Sequence, residues 1–434
     1  MAGPGPWIVL PSEPRIRPDA RLADVARRPT MQRSGQETPP AYPIRAASCA
    51  AAAVLLLLFL RRPESFLRPQ FFAEDGPIFY VEADRDPWGS ILTPYAGYLH
   101  LAARLVAALC SWLNPLWIPA AYLSVCTGAV LALSLALFSR RVDLPHPGLF
   151  ALGVVLVPHS GEVFDNLTNL QWITALGLIV LLLARDPEGP AQWLLDLAYA
   201  AVIGLSGVFS VLLAPLFAAR AAVRRTPAAA CIACVVAAGA AVQVYHVAHC
   251  PDPGPANSTT PVLALATFGH RVWLSLLSPP ALSDAAPRWM RAGAGGLGLA
   301  LLPALCLWAR TARLARALVA ASLLLLVAAA IYRFRGMISM LASVRCGDRY
   351  FFVPKVCVLW ILIFHLRRAA ALRWLSGALL AALLLNTCLS FRFERWKDYD
   401  WPYWAGRIAT ERRVVVPINP EGFSFTYERP GPGP

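Results

Sequence analysis

Apolar runs long enough to cross a membrane, separated by short turns that carry arginine, set the pattern of this chain. The first runs from Ala46 to Leu60 and is extendable into its flanks; Trp117 to Phe138, Gly148 to Pro158 and Leu170 to Ala184 follow. The stretch from Trp193 to Ala219 is too long for one crossing and is interrupted near Leu205 to Ser210, which predicts an in-and-out pair of short helices. Irregular backbone at that depth must be covered by protein or line a cavity. Further runs are Pro227 to Ala248, Ala292 to Ala309, Arg316 to Tyr332, Tyr350 to Leu366 and Leu372 to Phe391. The expected architecture is an all-α polytopic membrane protein with about eleven transmembrane helices.

Charge fixes the expected threading. The chain is 57% hydrophobic and 15% charged, where a soluble domain carries roughly 25% charged residues. A net charge of +14 would suggest nucleic acid in a soluble protein. Here the arginines stand between apolar runs, at Arg140, Arg141, Arg185, Arg220, Arg224 and Arg225, and again at Arg310, Arg313, Arg316, Arg367, Arg368 and Arg373. Cytoplasmic loops place arginine in that way, so the charge is read as topology and nucleic acid is excluded as a partner.

Residues 1–44, rich in Pro and Arg without apolar period, read as a disordered basic cytoplasmic tail in which Met31 is an alternative start. Residues 61–115 then form a first outer loop, and 392–434 a short outer tail. Within the first loop, Tyr95 to Leu109 reads as a helix with His100 and Arg104 on one face, lying on the outer surface. Of ten cysteines, most sit inside apolar runs, where a thiol behaves as a small hydrophobe. Cys231 and Cys234 lack partners at metal spacing, and nothing pairs Cys250 with Cys346. No repeat, P-loop or dinucleotide glycine motif is present.

The threading brings three polar stretches to one side of the membrane. Glu74 and Asp75 lie in Phe71 to Tyr80; His159, Glu162, Asp165 and Asn166 lie in the second outer loop; Arg345, Asp348, Arg349, Tyr350 and Lys355 lead into a late helix. Structural readings stand beside functional ones. Asp75 precedes Gly76-Pro77 as an N-cap would, and Glu162 and Asp165 suit the cap of the returning helix. Arg349 and Tyr350 fit an interfacial pair. Asn166 and Asn257 open glycosylation patterns. Carboxylates beside arginines at a membrane surface also suit a lipid-anchored substrate with an anionic head, since carboxylates take protons from hydroxyls and guanidinium groups hold phosphate.

On these residues the chain resembles the GT-C class of integral-membrane glycosyltransferases, over about residues 45–391. The likeness rests on Glu74-Asp75 in the first outer loop with surface helices around Pro94 to His100. The acidic loop Glu162 to Asp165, and Asp348-Arg349-Tyr350 with Pro354 opening a late helix, add to it. The short tail looks like that of bacterial members of the class. The resemblance implies an inverting transfer of sugar from a polyprenyl-phosphate donor to a glycan or lipid acceptor, on the outer face of a bacterial inner or plasma membrane. Asp75, or failing that Glu74, would be the base, and Arg349 with Arg345, Lys355 and Tyr350 would hold the donor phosphate. His159, Glu162 and Asp165 would form the second acidic loop, and Tyr98, His100 and Arg104 the acceptor side. No cofactor is implied, although two acidic loops leave room for a divalent metal. The rival expectation is a non-enzymatic lipid-linked glycan or lipid transporter, and a third is an inactive assembly partner.

Overall fold

A computed structural model describes residue 3 and residues 42–250, 258–307, 312–367 and 370–429. Of the basic tail, residues 1–2 and 4–41, with Met31 among them, lie outside the described residues, as do Asn257, Arg310 and Arg368. The described chain from Tyr42 onwards is one unit, mostly helical.

Its main helices are α1 (Ile44–Arg61), α2 (Leu101–Cys110), α3 (Ile118–Ala136), α4 (Pro147–Leu156), α5 (Leu170–Leu183), α6 (Pro190–Gly204) and α7 (Phe209–Arg224). Then come α8 (Pro227–His249), α9 (Pro261–Phe268), α10 (Arg288–Leu307), α11 (Arg313–Arg333), α12 (Arg349–Phe364), α13 (Ala370–Leu389) and α14 (Trp401–Thr410). Proline stands in the first turn of α4, α6, α8 and α9, where its missing N–H has no intrahelical role. Thr226 and Thr260 cap α8 and α9 by accepting from Ala229 and Leu263.

Six helices among the described residues are long and apolar enough to cross a membrane: α1, α3 with the turn before it, α8, α10, α11 and α13. They expose leucines such as Leu56, Leu297 and Leu385, as lipid contact requires. Two shorter helices run inside. Every residue of α12 from Phe351 to Phe364 is buried, and α5 is buried almost throughout. A helix apolar on every face belongs in such a core. Trp360 of α12 donates to the Phe150 carbonyl of α4 at 3.1 Å, joining the two helices.

Arginines at one end of the helices do more than mark topology. Arg141 forms a two-pronged pair with Asp196 at 2.5 and 2.9 Å. Asp186 accepts from Arg220, Arg224 and Thr226 at 3.2, 3.0 and 2.6 Å. The first pair fastens α6 to the turn between α3 and α4, and the second set fastens the end of α5 to α7 and α8.

The break between α6 and α7 is covered by protein, as expected. Leu101 N–H donates to Leu205 O at 3.0 Å, Gly207 N–H to Leu99 O at 2.9 Å, and Ala102 N–H to Ser206 Oγ at 2.7 Å. Gln243 of α8 completes the plug, bonding both the N–H and the carbonyl of Leu99. Gly207 takes φ +98°, and a Cβ there would meet Gln171 Oε1 at 2.3 Å.

Three elements depart from the sequence reading. The surface helix starts at Leu101 rather than Tyr95, because Ala96 and Gly97 take positive φ in a tight turn that pairs Tyr95 with Tyr98. Residues 261–277, to which the sequence reading assigned no element, are helical, with a π-helical turn at Gly269–Leu274 around His270 and Arg271. The tail folds as α14 and an antiparallel hairpin, β1 (Arg413–Ile418) with β2 (Phe423–Glu428). It docks on the first loop: Phe71 packs against Trp401 and Phe425 at ring separations of 4.7 and 6.1 Å. Asn419 N–H donates to Phe71 O at 3.2 Å, while Asn419 O accepts from Ala73 N–H at 2.5 Å.

Candidate functional site

The polar stretches of the first loop, the second loop and the segment before α12 come together at one end of the helices. Two adjacent acids there face different ways. Residues 73–75 form one turn of 3-10 helix, entered through Ala73 at φ +47°. Asp75 turns inward and is 1% exposed. Its Oδ1 accepts from Thr168 N–H and Thr168 Oγ1, both at 2.7 Å, and its Oδ2 from Leu167 N–H at 3.3 Å. Glu74 is half-buried and accepts from the Tyr95 hydroxyl at 3.0 Å.

This arrangement corrects the first choice of base. With both oxygens engaged and no exposed surface to speak of, Asp75 has no access to an acceptor hydroxyl. It also makes no cap bond to the helical turn that follows it. Instead it holds the approach to α5 from across the fold. Burial pushes its pKa up to about 7, against the lowering effect of the Thr168 and Leu167 donors.

Glu162 joins the stretches. Its carboxylate accepts from Arg349 Nη1 at 3.3 Å and Arg349 N–H at 3.2 Å. Burial raises its pKa while the Arg349 guanidinium opposes that rise. Arg349 also lies over the Tyr350 ring at 5.4 Å and feels the charge of Glu74. Tyr350 packs edge-on against Trp172 and Phe334. Burial and the Glu74 charge raise the Tyr95 phenol, which stays a donor at neutral pH.

On the other side of Glu162 lies a cavity of about 580 Å³, bounded by the 158–162 loop, α12, the end of α13 and the start of the tail. Arg345 and Lys355 line it, whereas Arg349 does not. The proposed phosphate-binding set is thus divided. Lys355, 1% exposed, donates to Asp348 at 2.7 Å and to Pro158 O at 3.2 Å. Asp348 accepts also from Ser160 N–H at 2.8 Å and faces Arg271 at 3.5 Å. Arg62, Arg392 and Trp396, none of which was a candidate site residue in the sequence, line it too, together with His159. Arg392 and Trp396 follow the last apolar run in a stretch without periodicity, which gave no signal.

Other marked residues are structural. Asp165, at φ +68°, pairs with Arg62 at 3.3 Å and accepts from Ser65 at 3.0 Å. His159 sits among Phe164, Phe352 and Phe393, where burial holds its pKa well below the ordinary value and keeps it neutral. His100 and Arg104 are buried, contrary to a solvent-facing stripe: Arg104 pairs with Glu82 at 2.6 Å, and the His100 ring stacks on Tyr98 at 4.5 Å. The outward side at the end of α2 is apolar, with Leu109 and Trp112 exposed. The Asn166 amide is buried and donates to Glu162 O and Phe164 O, so that glycosylation pattern is closed to modification.

Comparison with protein-family models, curated proteins and solved structures gives no match.

Proposed function

We propose that the chain transfers a sugar from a polyprenyl-phosphate-linked donor to an envelope glycan or lipid acceptor, with Glu74 as the base. The reading includes the eleven-span threading and places this end of the helices on the outer face. The observation that carries it is Glu162, which lines the cationic cavity and pairs with Arg349, the residue alongside Glu74. A proton acceptor and a cationic cavity are thereby separated by one ion pair.

In the transfer, the acceptor hydroxyl gives its proton to Glu74 as its oxygen bonds to the anomeric carbon. The bond from that carbon to the donor phosphate breaks, and the electron pair leaves on the phosphate oxygen. The departing anion needs no general acid, and Arg345 stabilises it electrostatically. Tyr95, bonded to Glu74, orients the carboxylate. Attack from the side opposite the leaving group inverts the anomeric centre.

The test is transfer by the purified full chain, reconstituted with polyprenyl-phosphate sugar, compared with Glu74→Gln. Loss of transfer at unchanged folding is expected. Normal transfer by Glu74→Gln would overturn the assignment. Movement of the lipid-linked sugar across the bilayer without transfer would replace the enzyme by a transporter.

A further inference from the structure

We infer that the cavity binds a doubly charged diphosphate group between Arg345 and Arg392. The inference rests on the cavity being the donor pocket, and it specifies the donor linkage as diphosphate rather than monophosphate. It also brings in Arg392 and the Nε2 of His159, neither of which takes part in the transfer step.

The lining carries six cationic and four acidic side chains. Arg62 and Lys355 are held by Asp165 and Asp348, and Arg395 and Lys397 by Glu64 and Glu421. Arg345 and Arg392 are exposed and form no ion pair among the described residues. They come from separate segments, one before α12 and one after α13. Of the two lining acids outside these pairs, Glu162 is held by Arg349 and Glu394 is exposed to solvent.

His159 supplies an independent sign of a ligand. Gly161 N–H donates to its Nδ1 at 2.8 Å, which assigns the ring proton to Nε2. That Nε2 is buried and has no hydrogen-bond partner. An unmet donor in the wall of a cationic cavity suits a phosphate oxygen. A glycosyl phosphodiester brings one negative charge, whereas a glycosyl diphosphate brings two, which matches two guanidinium groups that each favour two-pronged contact with phosphate.

The experiment is binding to the full chain in lipid nanodiscs, without acceptor. The probes are a glycosyl diphosphate polyprenol, the glycosyl monophosphate polyprenol of equal chain length, and inorganic pyrophosphate as competitor. The diphosphate lipid should bind about tenfold or more tighter than the monophosphate, and Arg345→Gln and Arg392→Gln should each weaken it by about tenfold, one charged contact apiece. His159→Phe, which keeps the aromatic packing, should weaken it less, and Glu394→Gln should not weaken it. Both arginines are exposed, so melting temperatures should hold.

Competition by pyrophosphate that is lost in both arginine variants assigns recognition to the diphosphate itself. If pyrophosphate does not compete while the lipid still depends on both arginines, the site requires the lipid-linked form. Equal affinity for the two lipids, or unchanged binding by Arg392→Gln, would overturn the inference. Diphosphate-selective binding with no sugar transfer would instead overturn the transferase reading and leave this site standing.

Discussion

The Asp75 carboxylate accepts both the backbone N–H and the hydroxyl of Thr168 at 2.7 Å. That pair ties the first loop to the approach of α5 and leaves the neighbouring Glu74 as the acid directed elsewhere, toward Tyr95.

Asp75→Ala and Glu74→Gln should therefore separate stability from activity. Removing Asp75 strands buried donors from Thr168 and Leu167, a loss of about 2–4 kcal/mol that thermal unfolding in detergent will register. Glu74→Gln should leave the melting temperature in place and reduce transfer by about 10²- to 10⁴-fold, the usual contribution of a general base. Equal destabilisation by the two changes would contradict the division of roles.

Asp75 also sets a pH dependence. Its folded pKa is raised to about 7, and the unfolded group titrates near 4. The folded state holds the proton more tightly, so this stability is full below about pH 4, declines as pH rises and is lost above about pH 7. The wild-type melting temperature should fall between pH 5 and pH 7.5 on the order of a few kcal/mol in equivalent stability. Asp75→Asn, which cannot ionise, should flatten that slope. A parallel slope in the variant would place the titration elsewhere.

Lys355→Met should be strongly destabilising, by about 3–5 kcal/mol, since it removes one partner of a buried ion pair. Adding Asp348→Asn should recover part of the loss, because the residual charge is then absent. Melting curves of the two single variants and the double variant measure the coupling. Additive losses would mean that the 2.7 Å contact between Lys355 and Asp348 contributes no specific interaction.

Asn419 pins the tail to the first loop. Its Oδ1 accepts from Lys397 N–H at 2.9 Å and its Nδ2 donates to Lys397 O at 3.0 Å, close to the Phe71 and Ala73 contacts of its own backbone. Asn419→Ala should loosen residues 391–429 by about 1–3 kcal/mol. Faster amide exchange in β1 and β2, with the exchange of α12 unchanged, is the expected reading.

Residue order alone determined most of the helices. Apolar runs bounded by arginine, proline and threonine located α1, α3, α8, α10, α11 and α13, because lipid tolerates unbroken apolar surface and backbone groups bonded within the helix. The break at Leu205 to Ser210 was equally legible, and so was the need to cover it. That Leu99 to Ala102 and Gln243 do the covering was not, since those partners lie about a hundred and about forty residues away from it in sequence. The tail hairpin carries a period of two in Val414, Val416 and Ile418, all buried, yet six residues are too few to stand out from a tail without the surface they pack on.

For the site, composition identified which loops hold acids and arginines, while tertiary structure decided what each side chain does. Glu74 and Asp75 are adjacent, alike in chemistry and indistinguishable by neighbours in the chain. One turn of 3-10 helix directs them to different partners, so burial and hydrogen bonding divide anchor from open carboxylate. Arg345, Arg349 and Lys355 read as one phosphate cluster, but the Glu162 pair draws Arg349 to the Glu74 side and leaves the others in the cavity with Arg392. Charge type is written in the residue, whereas exposure and partnership depend on which segments the fold brings within a few ångströms.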